Sequence, residues 1–180
     1  MGVNYMMNQR IQNVYVSGYN SGQAYEKYDI VKKLSGEFAY YYVAIKDVPA
    51  QISGFSQGND WRRFDTSGFN FTEVWTPTYQ TSLNFTPNSI NFVFGDGYSQ
   101  RSDAGLWASK LAYNVSFDNI DNKELKSLAA FFEYKGGSDS FVATLNPIFE
   151  DRKFTAMNWN HEYSSDNINS LTVNFYEVVN

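Results

Sequence analysis

The sequence contains no cysteine, only four prolines and a single histidine. Without cysteine the chain forms no disulfide, no thiolate metal site and no cysteine nucleophile. No apolar run approaches the roughly 20 residues that cross a bilayer, and the first 20 residues lack the apolar stretch typical of a signal peptide. We therefore expect a protein that makes no membrane contact and is made in the cytoplasm.

Basic residues are also in the minority, with 14 Lys and Arg against 19 Asp and Glu. Residues 1–67 carry seven basic and six acidic residues, whereas residues 68–180 carry seven and thirteen, a net charge of −6. Proteins that grip nucleic acid present a basic stripe to its phosphates. The acidic second part excludes that class, and its charge favours solubility.

Aromatic residues are abundant at 18% of the chain, which favours β-structure. Two β-rich runs, residues 25–32 and 38–45, surround the Ser35-Gly36 turn and predict a hairpin. We predict an N-terminal arm over residues 1–24 and a small β module over residues 25–66. Trp61 is expected to complete the core of this module.

Residues 68–180 form the second predicted domain. Leu111, Tyr113, Val115 and Phe117 alternate with polar or small residues, which is typical of a strand with one buried face. A helix is predicted to start after Asp121, to bury Leu125, Leu128, Ala129 and Phe132, and to end at Gly136-Gly137. Three strands follow. The fold class is mainly β, an antiparallel sheet system with one flanking helix, and we expect this domain to fold without the first module.

The residues that could carry chemistry do not form a catalytic set. His161 lies in an alternating strand without an orienting partner. Glu150 and Asp151 are adjacent, so they cannot face each other across a substrate. Asp96 lacks the alternating ligands of a calcium loop. We predict no enzyme activity, no cofactor and no metal.

Tyr40, Tyr41 and Tyr42, together with Trp61, leave two interpretations open. Exposed aromatic rings can stack on sugars and bind a glycan. Alternate tyrosines can also build a small core or contact another protein. The residues alone favour the second interpretation.

A compact motif runs from Phe94 to Leu106. It contains Phe94, Gly95, Asp96, Gly97, Tyr98, Ser99, Gln100 and Arg101, followed by Ala104, Gly105 and Leu106. This motif and the order of strands and helix after it resemble the minor tail protein M family of lambda-like phages, over residues 68–180.

The resemblance implies a β-sandwich or barrel of the tail-tube or distal-tail type. It also implies a structural virion protein of the tail tip, repeated as a hexameric ring around the DNA channel between the tail tube protein and the central hub. No catalytic residue comes with the family. Acidic residues on the ring's inner surface would repel passing DNA, and the candidates are Glu124, Glu133, Asp139, Glu150, Asp151 and Asp166.

Residues 20–66 resemble a second family, the small carbohydrate-binding modules of the chitin-binding type. The similarity lies in Tyr25 to Val31, Gly36, Tyr40 to Tyr42 and Trp61. This resemblance implies an alternative function, a carbohydrate-binding accessory tail protein that contacts host-surface glycans. The same module could instead bind a neighbouring tail protein.

Overall fold

The computed structural model describes residues 16–50, 55, 58–64, 66, 69–78, 82–87, 89–103, 109–145, 151–165 and 167–178. Within these residues the chain is mainly β, with one α-helix, a short 3-10 helix at Phe71–Glu73 and three sheets. The predicted fold class is confirmed.

The first sheet has four strands in the order β1-β2-β3-β4, and only β1 runs parallel to its neighbour. Its strands are β1 Ser17–Gly18, β2 Ile30–Ser35, β3 Phe38–Ala44 and β4 Trp61–Arg63. The predicted hairpin is confirmed: Ser35 pairs with Phe38, and Gly36 supplies a φ of 62° at the turn. Because β1 lies within residues 1–24, part of the predicted arm belongs to this sheet.

The second sheet has five antiparallel strands in the order β5-β8-β11-β10-β9 and is curled into a half-barrel. Its strands are β5 Ser82–Pro87, β8 Ser109–Ile120, β9 Phe141–Ala143, β10 Arg152–Ser165 and β11 Ile168–Glu177. Buried residues alternate along β8 and β11, as the sequence pattern predicts. A separate two-stranded sheet consists of β6 Ser89–Val93 and β7 Ser99–Asp103.

The helix α1, Asn122–Lys135, begins and ends as predicted. The Asp121 carboxylate accepts a hydrogen bond from the Glu124 amide at 2.7 Å, and Gly136 ends the helix in the left-handed conformation. The helix buries more than the single predicted face, since several positions outside that face are buried as well. Ala129, which is predicted to be buried, is only half-buried. The buried helical residues are Leu125, Ser127, Leu128, Ala130, Phe131, Phe132, Tyr134 and Lys135.

The wider burial arises because α1 lies between the two larger sheets. On one side Phe132 stacks on Trp159 of β10, with ring centroids 5.7 Å apart. On the other side Tyr134 contacts Tyr41 of β3 at 5.7 Å, and Phe131 contacts Phe64 at 5.6 Å. One hydrophobic cluster therefore contains residues of both predicted domains. The domain boundary at residues 66–68 remains a prediction, but the packing argues against a second domain that folds alone.

Candidate assembly interface

The strands β6 and β7 form a separate hairpin that lies between β5 and β8 in the chain. Pro87 pairs with Ser109 in the large sheet, and Ser89 pairs with Asp103 in the hairpin. Five residues per strand extend about 17 Å at the usual rise. Every residue from 89 to 102 is exposed to solvent. Within the described part of the chain, this hairpin is therefore a projecting arm.

The tip of the hairpin is a tight turn built by the family-like motif. The Phe94 amide donates to the Tyr98 carbonyl at 2.8 Å, and the Gly97 amide donates to the Phe94 carbonyl at 3.0 Å. The Asp96 carboxylate accepts a hydrogen bond from the Tyr98 amide at 3.2 Å. Gly97 has a φ of 85°, which favours glycine. Asp96 thus stabilises a turn, and no group of metal-ligating side chains exists among the described residues.

The two faces of the hairpin differ in polarity. The strand pairing places Gln100 opposite Phe92 and Ser102 opposite Ile90, so even-numbered residues share one face. That face carries four large exposed side chains, Ile90, Phe92, Phe94 and Tyr98, of which Tyr98 is 77% exposed. We call these four residues the apolar hairpin face. Four large apolar side chains on one face are unusual where water is the only neighbour. An exposed apolar surface of this kind marks an interaction site.

The opposite hairpin face carries mostly polar residues. Arg101 pairs with Asn91, and Val93 pairs with Ser99. The structure thus places eight of the eleven motif residues, Phe94 to Arg101, in one hairpin, while Ala104, Gly105 and Leu106 lie outside the described residues. The alternation of Ile90, Phe92 and Phe94 in the sequence predicts a strand with one apolar face. It does not predict whether other parts of the same chain cover that face.

The candidate glycan residues of the first sheet lie elsewhere. Tyr41, Tyr42 and Trp61 are buried, at 4%, 5% and 1% exposure. Tyr42 and Trp61 pack into a small core with Tyr25, while Tyr41 faces α1. Tyr40 is half-buried, and the Arg63 guanidinium lies 3.9 Å from its ring centroid. The chain itself therefore covers the rings of Tyr41, Tyr42 and Trp61, which offer no exposed face for sugar stacking. A glycan or protein contact of this module remains a prediction.

The first sheet is also tied to the start of α1 by polar contacts. The Lys123 amine lies 2.6 Å from Glu26 and 3.1 Å from Asp29. Burial would lower the pKa of Lys123, but hydrogen bonds and charge attraction from both carboxylates raise it overall. These contacts border a cavity of about 450 Å³ at the junction. They orient the first sheet on the helix.

Tyr28 stands at the same junction and has a φ of 71°, a conformation that non-glycine residues rarely adopt. Its hydroxyl donates a hydrogen bond to the Glu124 carboxylate, and burial together with that negative charge raises the pKa of Tyr28. Burial likewise raises the pKa of Glu124. The sequence around Tyr28 does not reveal this environment, because Glu124 and Asp121, which surround it, lie far later in the chain.

The remaining polar candidates have local roles. His161 is exposed, and its ring contacts Tyr163 at 5.1 Å. Asp151 accepts hydrogen bonds from Asn70 and Thr144, whereas Glu150 lies outside the described residues. No helix in the described part of the chain is long and apolar enough to span a membrane.

Comparisons with known proteins identify relatives. A family described as phage minor tail protein matches residues 58–179. Tail tip protein M of Escherichia phage lambda is 38% identical over 96 residues, covering 52% of this chain and 84% of that protein. A structure titled as the tail of an empty GTA particle, computed with helical refinement and C6 symmetry, covers 71% of this chain and 89% of its own, at 9% identity and a TM-score of 0.43. The family match begins at residue 58, ten residues upstream of the predicted boundary at residue 68, and therefore includes β4.

Proposed function

Because the chain belongs to the phage minor tail protein family, we propose that it forms a closed ring at the tail tip, around the channel through which DNA passes. The family is structural and not enzymatic. The chain is a structural component of the phage tail and thus of the virion. The ring, its copy number and its neighbours are the proposed part.

The observation that carries the proposal is the apolar hairpin face. A ring closes when each subunit presents one patch to the next subunit and receives the same contact on its other side. Burying one large apolar side chain stabilises a contact by about 1.5–3 kcal/mol. Four such side chains on a projecting arm fit a contact with a neighbouring copy.

The similarity to tail tip protein M supports a position at the tail tip, and the family resemblance implies that the ring lies between the tail tube protein and the central hub. Six copies are the number that the family resemblance implies. Tail-tube, hub and other tail-tip proteins are then the partners above and below the ring. DNA passes through without specific binding.

The alternative function in glycan binding has no comparable support. Three of its four candidate aromatic side chains are buried, and the ring of the fourth is covered by Arg63. Tyr41 instead makes a contact within its own chain, with the ring of Tyr134 on α1.

Variants on the two faces of the hairpin test the ring. We expect Phe92→Ser to leave the thermal unfolding of the isolated chain unchanged, because Phe92 is 52% exposed, but to abolish incorporation into tails. Val93→Ser, on the opposite face, is the matched control and should assemble normally. Cryo-electron microscopy of virions would give the copy number. A single copy per tail, or normal assembly of Phe92→Ser, would contradict the proposal.

A further inference from the structure

The five-stranded sheet has one face turned away from α1. The inward side chains of β11 are the buried ones, Leu171, Val173 and Phe175, so Thr172 and Asn174 point outward. Trp159 stacks on Phe132 of α1, so its neighbours on β10 point outward as well. The same alternation in β8 turns its even-numbered residues outward.

The outward side chains in the middle of the sheet are uncharged amides and hydroxyls. Two cross-strand rows contain them: Asn174 pairs with both Asn158 and Asn114, and Thr172 pairs with both Asn160 and Ser116. We call this set the amide face, and its members are Asn114, Ser116, Asn158, Asn160, Thr172 and Asn174. Three of them are exposed and three are half-buried.

Charged side chains lie around the amide face but not within it. The next row towards the turn between β10 and β11 carries Asp118 and Glu162, both acidic. On the other side, the adjacent row carries the uncharged residues Thr155, Tyr176 and Ala112, and Lys153 lies further along β10, where this strand pairs with the edge strand β9. The described positions of the two rows contain no lysine or arginine. A solvated sheet face normally carries such residues, so their absence over two rows calls for a reason.

Four of the six acidic residues expected in the channel lie away from the amide face, whereas Glu150 and Asp166 lie outside the described residues. Glu124 is half-buried against Tyr28, and Glu133 lies on α1 behind the sheet. Asp139 follows α1, and Asp151 bonds to Asn70 and Thr144 near the β9 edge. Packed layers such as two stacked sheets lie roughly 10 Å apart, and screening at physiological salt acts over about 8 Å. Carboxylates on α1 therefore contribute little repulsion at the outward face.

We propose that the amide face is the wall of the DNA channel and that it prevents adhesion by being uncharged. This inference rests on the proposed ring. Each lysine or arginine that meets a phosphate releases counterions and holds the duplex, so a wall past which DNA must slide excludes them. Amides and hydroxyls carry no net charge, and the exposed ones, Asn158, Asn160 and Thr172, can keep a layer of hydrogen-bonded water. The amide face replaces the acidic lining expected from the sequence.

The test introduces cations into the amide face of the full-length chain in phage particles. In the Thr172→Lys/Asn160→Lys variant, both positions are exposed, so we expect normal folding and normal tail yield. DNA release into host cells, followed with a fluorescent DNA stain, should slow by about tenfold at 50 mM salt and recover at 200 mM. Thr172→Gln/Asn160→Gln, with similar bulk and no charge, should release DNA at the wild-type rate, as should Ser138→Lys after α1.

Three outcomes would overturn the inference. The first is DNA release at the wild-type rate from particles that contain the lysine variant. The second is a folded lysine variant that fails to assemble, which would assign the face to subunit contacts. The third is a cryo-electron microscopy map in which the ring is present but another face lines it. Absence of any ring would instead contradict the proposed function itself. The single Asn160→Lys variant replaces the pair if the pair does not fold.

Discussion

Gly97 shows how one residue can matter for assembly and not for the fold. Its φ of 85° is strained for any other residue, while a Cβ there would meet no atom within 4 Å. Gly97→Val should therefore cost about 1–3 kcal/mol of local strain, confined to an arm whose residues from 89 to 102 are all exposed.

We expect Gly97→Val to lower tail assembly sharply while the melting temperature of the isolated chain stays close to wild type. Gly95→Ala is the control, since Gly95 has no positive φ and its Cβ would also meet no atom. Circular dichroism melts and virion yields measure the two effects. A large fall in melting temperature for Gly97→Val would show that the hairpin packs against the rest of the protein.

Glu124 should make the stability of the folded chain depend on pH. Its folded-state pKa is raised, chiefly by burial, so the folded chain holds this proton at a pH where the unfolded chain, with a pKa near 4.3, has lost it. Stability contributed by this group is present at low pH and falls as pH rises through the interval between the two pKa values. Glu124→Gln keeps an acceptor for Tyr28 and removes the titration.

The free energy of unfolding of Glu124→Gln, relative to wild type, should therefore rise between pH 4 and pH 7. Urea titrations across that range measure it, with Glu162→Gln on exposed β10 as the control. A difference that stays constant with pH would show that burial of the Glu124 carboxylate costs nothing.

At the scale of elements, α1 joins the two larger sheets. Phe131 is fully buried and contacts Phe64 from the first sheet region and Phe71, Trp75 and Phe141 from the second. Phe131→Ala should destabilise the chain by about 3–5 kcal/mol, in one transition that both sheets share. Lys126→Ala, on the exposed side of α1, should stay within about 0.5 kcal/mol of wild type. Two separate transitions in the variant, measured by fluorescence and circular dichroism, would argue that the sheets fold independently.

The local sequence predicted the ends of α1 well, but it did not predict which segments pack against the helix. The Asp121 cap and the Gly136 stop act within a few residues, so the helix ends could be predicted. The second buried side of α1, with Ala130, Phe131 and Tyr134, could not be predicted from the sequence. A second apolar stripe on a helix can be recognised as buried only when the segment that packs against it is known. That partner includes Tyr41 and Phe64, which lie about 70 or more residues earlier in the chain.

For the whole molecule, the shared core changes the expectation for a shortened chain. A chain that starts at residue 67 loses Tyr41, Val43 and Phe64, all buried in the same cluster as α1. The second side of α1 would then expose Phe131 and Tyr134 to water. We expect this fragment to aggregate or to melt without a cooperative transition, whereas the full chain melts cooperatively. A monomeric fragment with a sharp melt would support the predicted boundary at residue 68.

By itself the sequence determined the β-rich fold class, the helix and its ends, the turn at Gly97 and the family, because each depends on neighbours in the chain or on a contiguous motif. Tertiary structure decided which apolar surfaces are covered. Tyr41 and Phe92 both lie in strands with apolar alternation, yet Tyr41 is buried under α1 and Phe92 is exposed on the hairpin. Alternation specifies that a strand has two different faces. Whether the chain itself or another molecule covers the apolar one depends on contacts between distant segments.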